Sequence, residues 1–198
     1  MTRSTLVPFR ITVCGIEELH GHCEAGVSHV LSILDPGRDL PPAFGSYGEH
    51  VRLDLRFDDI IEEMPEKAAP QLQHVESVLA FGRELAAEAD AGAHLLVHCH
   101  MGVSRSTACM ALILAQTCPE RPAAEILAEV VRIRPIAWPN LRILEIGDRL
   151  LGRGGDLVEA LRPVYRASVD RPMRPGEPDW PTALERWGRG REIRHMRG

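Results

Sequence analysis

The chain has 198 residues, 44% of them hydrophobic and 26% charged, with a formal net charge of −5. That size suits one domain of ordinary dimensions plus an extension, and the composition is that of a soluble globular protein. The acidic balance argues against nucleic acid as a partner, for which a basic face would be expected. The 22 Arg against a single Lys, Lys67, read as genome composition, because the arginines are scattered.

No run of 18 apolar residues is present, so no membrane span is expected. Met1 to Pro8 lacks the apolar stretch of a signal peptide. Five cysteines at irregular spacing make no disulfide framework, and a cytoplasmic setting follows. Cys14, His20, His22 and Cys23 offer four possible zinc ligands. Their spacing fits no familiar pairing, and Cys14 continues the apolar run Ile11-Thr12-Val13, so no metal and no cofactor are expected.

In chain order, Phe9 to Cys14 reads as a first strand and Val30 to Leu34 as a second, buried one closed by Asp35-Pro36-Gly37. Val51-Arg52-Leu53-Asp54-Leu55 alternates with period two and predicts a third strand. Helical signals run from about Pro65 to Ala89. The apolar run His94 to Val97 predicts a fourth strand, and three helical segments follow at roughly 105–117, 122–133 and 139–151. Strands alternating with helices, then helices stacked late, predict an α/β domain with a central, mostly parallel sheet flanked by helices. Arg153-Gly154-Gly155 marks a boundary, which gives a domain over 1–152 and an extension over 153–198. In the extension Asp156 to Arg166 predicts one more helix. The stretch beyond Pro172 is expected to be weakly ordered, or folded over the domain through Trp180 and Trp187. From Arg171 on, seven Arg stand against four acids, either as a solvated tail or as a dock for an acidic partner.

The stretch between the fourth strand and the next helix carries the chemistry. It reads His98-Cys99-His100-Met101-Gly102-Val103-Ser104-Arg105-Ser106. A thiol at a strand end faces the first turn of a helix, where free N–H groups and the helix dipole favour an anion and lower a thiol pKa. Arg105 adds a planar fork for two phosphate oxygens. Cys109 and Cys118, in contrast, read as buried fillers.

This segment resembles the signature loop of the cysteine-dependent protein tyrosine phosphatases, His-Cys, five residues, Arg, then Ser or Thr, and is most similar to the dual-specificity branch. Arg134-Pro135-Ile136-Ala137-Trp138-Pro139-Asn140 is similar to a second motif of that branch. The resemblance covers roughly residues 10–150. It implies a metal-independent hydrolase of phosphotyrosine, with phosphoserine and phosphothreonine as further substrates. Cys99 would be the nucleophile. The N–H groups of His100, Met101, Gly102, Val103 and Ser104, together with Arg105, would hold the phosphate. The resemblance also implies that His98 orders the loop and helps the thiol ionise, that Ser106 assists breakdown of the thiophosphate, and that Asn140 braces the loop.

The family's general acid is an Asp beyond the third strand, where this chain reads Phe57-Asp58-Asp59-Ile60. Asp59 is chosen because it stands further beyond the strand end, and Asp58 is the runner-up. The interval from Asp59 to Cys99 exceeds the family's by about eight residues around Ile60 to Gln71, which form either a loop or a longer helix, and which leave Glu62 and Glu63 as further carboxylates. Alternatives are a lipid or inositol phosphate substrate, disfavoured by the absence of Lys from the loop, a non-catalytic phosphate-binding module, and sulfur transfer. The expected partner is a phosphorylated protein or a small phosphomonoester. A monomer without nucleic acid or membrane partners is expected.

Overall fold

The computed structural model describes residues 6–88, 92–170 and 180–198. Four strands, β1 (Arg10–Cys14), β2 (His29–Leu34), β3 (Val51–Arg56) and β4 (His94–His98), form one sheet in the order β1-β4-β2-β3, and every pairing is parallel. The α/β fold expected from the sequence is present. β2 and β4 are buried along their whole length, as strands covered on both faces must be, whereas β3, one of the two edge strands, is largely exposed.

The period of two divides the side chains between two cores. Ile11, Val13, Leu31, Ile33, Leu95 and Val97 point into the larger cluster, which the helices complete. Val30, Cys14 and Leu96 point the other way, into a small cluster with Leu19, Ala43 and Phe44. Two short 3-10 segments, Ile16–His22 and Pro42–Ser46, supply those last residues and cover that face.

The helices are α1 (Leu72–Glu88), α2 (Arg105–Thr117), α3 (Ala123–Ile133), α4 (Leu141–Leu150), α5 (Asp156–Glu159), α6 (Leu161–Asp170), α7 (Trp180–Arg186) and α8 (Gly190–Arg197). Helix α2 is apolar on all sides, buried from Arg105 to Ala115, and is therefore the central helix of its layer. It packs on β1 and β4 and is flanked by α1, α3 and α4.

Two departures from the sequence reading concern the site. The helix expected from Pro65 starts only at Leu72, so the extra residues after Asp59 form a loop. Asp58 holds that loop: its Oδ1 accepts from Lys67 Nζ (3.0 Å) and its Oδ2 from the Ala68 N–H (2.8 Å). The described part of the tail is helical and packed rather than weakly ordered. Leu184, Ile193 and Met196 join Leu157, Leu161 and Tyr165 in the large core. The sequence hides this, because only those few positions of the two short helices face inward. Residues 172–179 and the Trp180 side chain lie outside the described residues, and Trp187 is half exposed.

Candidate active site

β4 delivers the loop from Cys99 to Ser104 at the carboxyl end of the sheet, where α2 begins, the place at which open parallel sheets bind ligands. Its shape is imposed by close packing against β1. Gly102 takes φ +68, and a Cβ there would lie 2.4 Å from the Cys14 carbonyl carbon, so only glycine fits. Gly15 allows the same close approach from the other side, next to His100 O.

The carbonyls of His100 to Ser104 are all bound from outside. His100 O accepts from the Ile16 N–H (3.0 Å), and Val103 O from the Trp138 N–H (2.9 Å) and the Thr107 hydroxyl. Ser104 O accepts from Thr107 Oγ1 (2.9 Å) and the Asn140 N–H (3.4 Å). Arg134 binds two more, its Nη2 donating to Met101 O and its Nε to Gly102 O, both at 3.0 Å. Glu18 receives the same guanidinium on both carboxylate oxygens, at 3.0 and 2.8 Å, and also the Gly15 N–H. With the carbonyls turned outward, the N–H groups of His100 to Ser104 donate to no described residue. That is the arrangement of an anion nest at a helix N-terminus.

Cys99 lies at the floor, 2% exposed, with its Sγ 3.2 Å from Ser106 Oγ. Arg105 is equally buried. Its Nη1 donates to Asp35 Oδ1 and to Phe57 O, both at 2.6 Å, while its Nε has no partner among the described residues. A buried guanidinium nitrogen without an acceptor is costly, and this one belongs to a fork fixed by Asp35 and Phe57. His100 and Met101 form the exposed rim, Met101 at 65%.

His98 Nε2 is 2.8 Å from Ser32 Oγ, and its ring lies on Phe44. Burial pushes its pKa down to about 4. His98 is therefore neutral near pH 7, held at the end of β4 by Ser32 and Phe44. Cys14, the nearest other thiol in the sheet, is pushed up to about 12 by burial and by Glu18, which fits a core thiol rather than a ligand. Among the described residues no three His, Cys, Asp or Glu side chains are grouped to hold a metal ion.

The two candidate acids differ in their surroundings. Both oxygens of Asp58 are occupied by the loop that follows, as described above. Asp59 turns towards the signature loop: its Oδ1 accepts from Ser104 Oγ (2.7 Å) and Asn140 Nδ2 (2.9 Å), and its side chain is 29% exposed. Asn140 also caps α4, its Oδ1 accepting the Ile143 N–H at 3.1 Å. Burial by itself would raise the Asp59 carboxyl, but Arg189, Arg105, Ser104 and Asn140 outweigh it and hold it below the usual carboxylate range. Glu62 and Glu63 are spent on Arg191 and Arg142.

No family model and no curated relative matches the chain. Solved structures do. Human DUSP28 is 19% identical over 72% of this chain and 94% of its own, with a TM-score of 0.53. Tk-PTP in its active form is 21% identical over 77% of this chain and 99% of its own, with a TM-score of 0.52. PTPMT1 in complex with PI(5)P is 16% identical over 73% and 91%, with a TM-score of 0.50. The chain has the dual-specificity phosphatase fold. Within that fold the signature segment takes the position its local pattern predicts, between the central strand and the central helix. Sequence reading missed Asp35, Glu18 and Arg189, which contact Arg105, Arg134 and Asp59. For Asp35 a signal was present, since Asp35-Pro36-Gly37 closes the strand beside β4 at its carboxyl end. For Glu18 and Arg189 there was none, because their partners lie 116 and 130 residues away.

Proposed function

We propose that the chain hydrolyses phosphomonoesters, phosphotyrosine in the first place and phosphoserine or phosphothreonine as well, through a cysteinyl-phosphate intermediate. The observation that carries this reading is the nest itself: outward-bound carbonyls, unpaired N–H groups and the unpartnered Arg105 Nε surround the Cys99 thiol. Such preorganised donors act on the equatorial oxygens, where charge develops.

In the first step the Cys99 thiolate attacks phosphorus. The P–S bond forms, the P–O bond to the leaving group breaks, and Asp59 gives its proton to the departing oxygen. The incoming phosphate dianion offsets the pull of Arg105 and so raises the proton affinity of Asp59 when it is needed. In the second step water attacks the thiophosphate, its proton passes to Asp59, and inorganic phosphate leaves with the electrons of the P–S bond returning to sulfur. The Ser106 hydroxyl, 3.2 Å from Sγ, donates to the thiolate as it departs.

A phosphatase acting on inositol lipids is the second reading, supported by the likeness to PTPMT1 solved with PI(5)P. The charge of the rim favours it less, because the exposed loop residues are His100 and Met101 and the loop contains no Lys. The Cys and Arg that a binding-only module would not require are both in place.

The test is a panel of p-nitrophenyl phosphate, phosphotyrosine and phosphothreonine peptides and inositol phosphates, assayed with the wild-type protein and with Cys99→Ser. Phosphotyrosine should be turned over fastest, and Cys99→Ser should lose hydrolysis while still binding inorganic phosphate. Turnover by Cys99→Ser would rule out the thiophosphate step, and preference for inositol phosphates would move the substrate class to the second reading.

A further inference from the structure

The reaction scheme leaves unused a buried arginine from the far end of the chain. α7 ends at Arg186, and Gly188 takes φ +70, the left-handed turn that stops a helix and reverses the chain. The next residue, Arg189, drops into the body of the molecule, 5% exposed, and its Nη1 lies 3.3 Å from Asp59 Oδ1. The rest of its fork is held by Glu192, Nε to Oε2 at 2.9 Å and Nη2 to Oε1 at 2.7 Å. Glu192 has no exposed surface and also accepts from Trp138 Nε1 (2.7 Å) and the Leu141 N–H (3.1 Å), which flank the loop-bracing Asn140.

We infer that Arg189 is the positioning residue of the proton donor: it holds Asp59 Oδ1 against the signature loop and balances its charge, so that the C-terminal segment is part of the active site. This rests on the reading of Asp59 as the acid. The groups facing Asp59 are few. Arg189 comes from the turn before α8 and Arg105 from α2, with Glu192 behind the first and Asp35 behind the second; Ser104 and Asn140 are neutral. Once a phosphate dianion occupies Arg105, Arg189 is the cation left to oppose protonation of Asp59. Glu192 in turn draws part of the Arg189 charge away. The two residues therefore push the Asp59 equilibrium in opposite directions, which a purely structural pair would not do.

The experiment is the pH dependence of kcat, which reports the substrate complex, for an alkyl phosphate, whose poor leaving group needs the acid, measured on the full chain. The descending limb should move up by about one pH unit or more in Arg189→Gln, since an adjacent cation lowers a carboxyl by that order. It should stay near the wild-type position in Arg189→Lys and move down in Glu192→Gln. Thermal melts establish that each variant is folded. If Arg189→Gln does not fold, Glu192→Gln, which keeps its shape and an acceptor oxygen, decides alone. A limb that stays in place in the folded variants, or moves the same way in both Gln variants, overturns the inference. Failure of the underlying reading looks different: a wild-type protein without Cys99-dependent turnover, or an Asp59→Asn protein that retains the descending limb.

Discussion

His98 stands at the end of the central strand with Ser32 on its Nε2 and Phe44 against its ring, and burial keeps it neutral. A histidine whose pKa falls from 6.5 to about 4 on folding binds its proton more weakly in the native state. The unfolded chain then takes up protons first as the pH drops, so stability present above pH 6.5 is lost between 6.5 and 4. For His98 alone this amounts to about 3 kcal/mol. His94 and His29, lowered by burial in the same sheet, act in the same direction. Urea unfolding midpoints should fall steadily across that window, and His98→Gln should flatten the slope. A midpoint independent of pH from 6.5 to 4 would contradict the buried neutral state.

At the scale of elements, the signature loop works because its two ends are regular and its middle is not. β4 and α2 fix where Cys99 and Arg105 stand, and Gly102 lets the chain between them pass against β1. Gly102→Ala should cost stability through the left-handed φ, roughly 1–3 kcal/mol, and further through the clash with the Cys14 backbone. It should also abolish phosphate binding, because the loop cannot move away from β1 without rotating its N–H groups. Gly37→Ala is the control: Gly37 has a similar φ of +75 but open space around it, so it should lose only the strain and keep phosphate affinity. Equal behaviour of the two in a calorimetric phosphate titration would mean that the close approach at Gly102 is unimportant. The loop after Asp59 shows the complementary case. Its composition reads as a helix start, but Asp58 binding Lys67 and Ala68 holds it open until Leu72.

For the molecule as a whole, the tail is the decisive feature. Two of the arginines that make it basic, Arg189 and Arg191, pair with Asp59, Glu192, Glu62 and Glu145 of the same chain. Those two arginines are engaged by carboxylates within the chain. Trp138 and Tyr165 stack at 4.3 Å between the second motif and α6, beneath the Glu192 carboxylate. Ile193 of α8 is 1% exposed in the large core, so Ile193→Ala should cost about 2–5 kcal/mol, the range for truncating a buried aliphatic side chain. Chemical denaturation measures this directly, and a change near zero would place the tail off the domain.

What the sequence determined by itself is what lies close together along the chain. Strand, thiol, glycine turn, Arg105 and helix fall within a dozen residues, so local pattern and elementary electrostatics suffice to expect an anion nest with a thiol in it. The alternating strands and the apolar α2 are legible for the same reason. The different surroundings of Asp58 and Asp59 were not, because neighbours in a loop differ only in what the rest of the fold brings to them: Lys67 and Ala68 to one, Ser104, Asn140 and Arg189 to the other. The pairing of Arg134 with Glu18 and of Arg189 with Asp59 was likewise decided only by tertiary structure. In a chain with 22 arginines, local pattern marks Arg105, and only the carboxylates that the fold brings from far away in sequence mark Arg134 and Arg189.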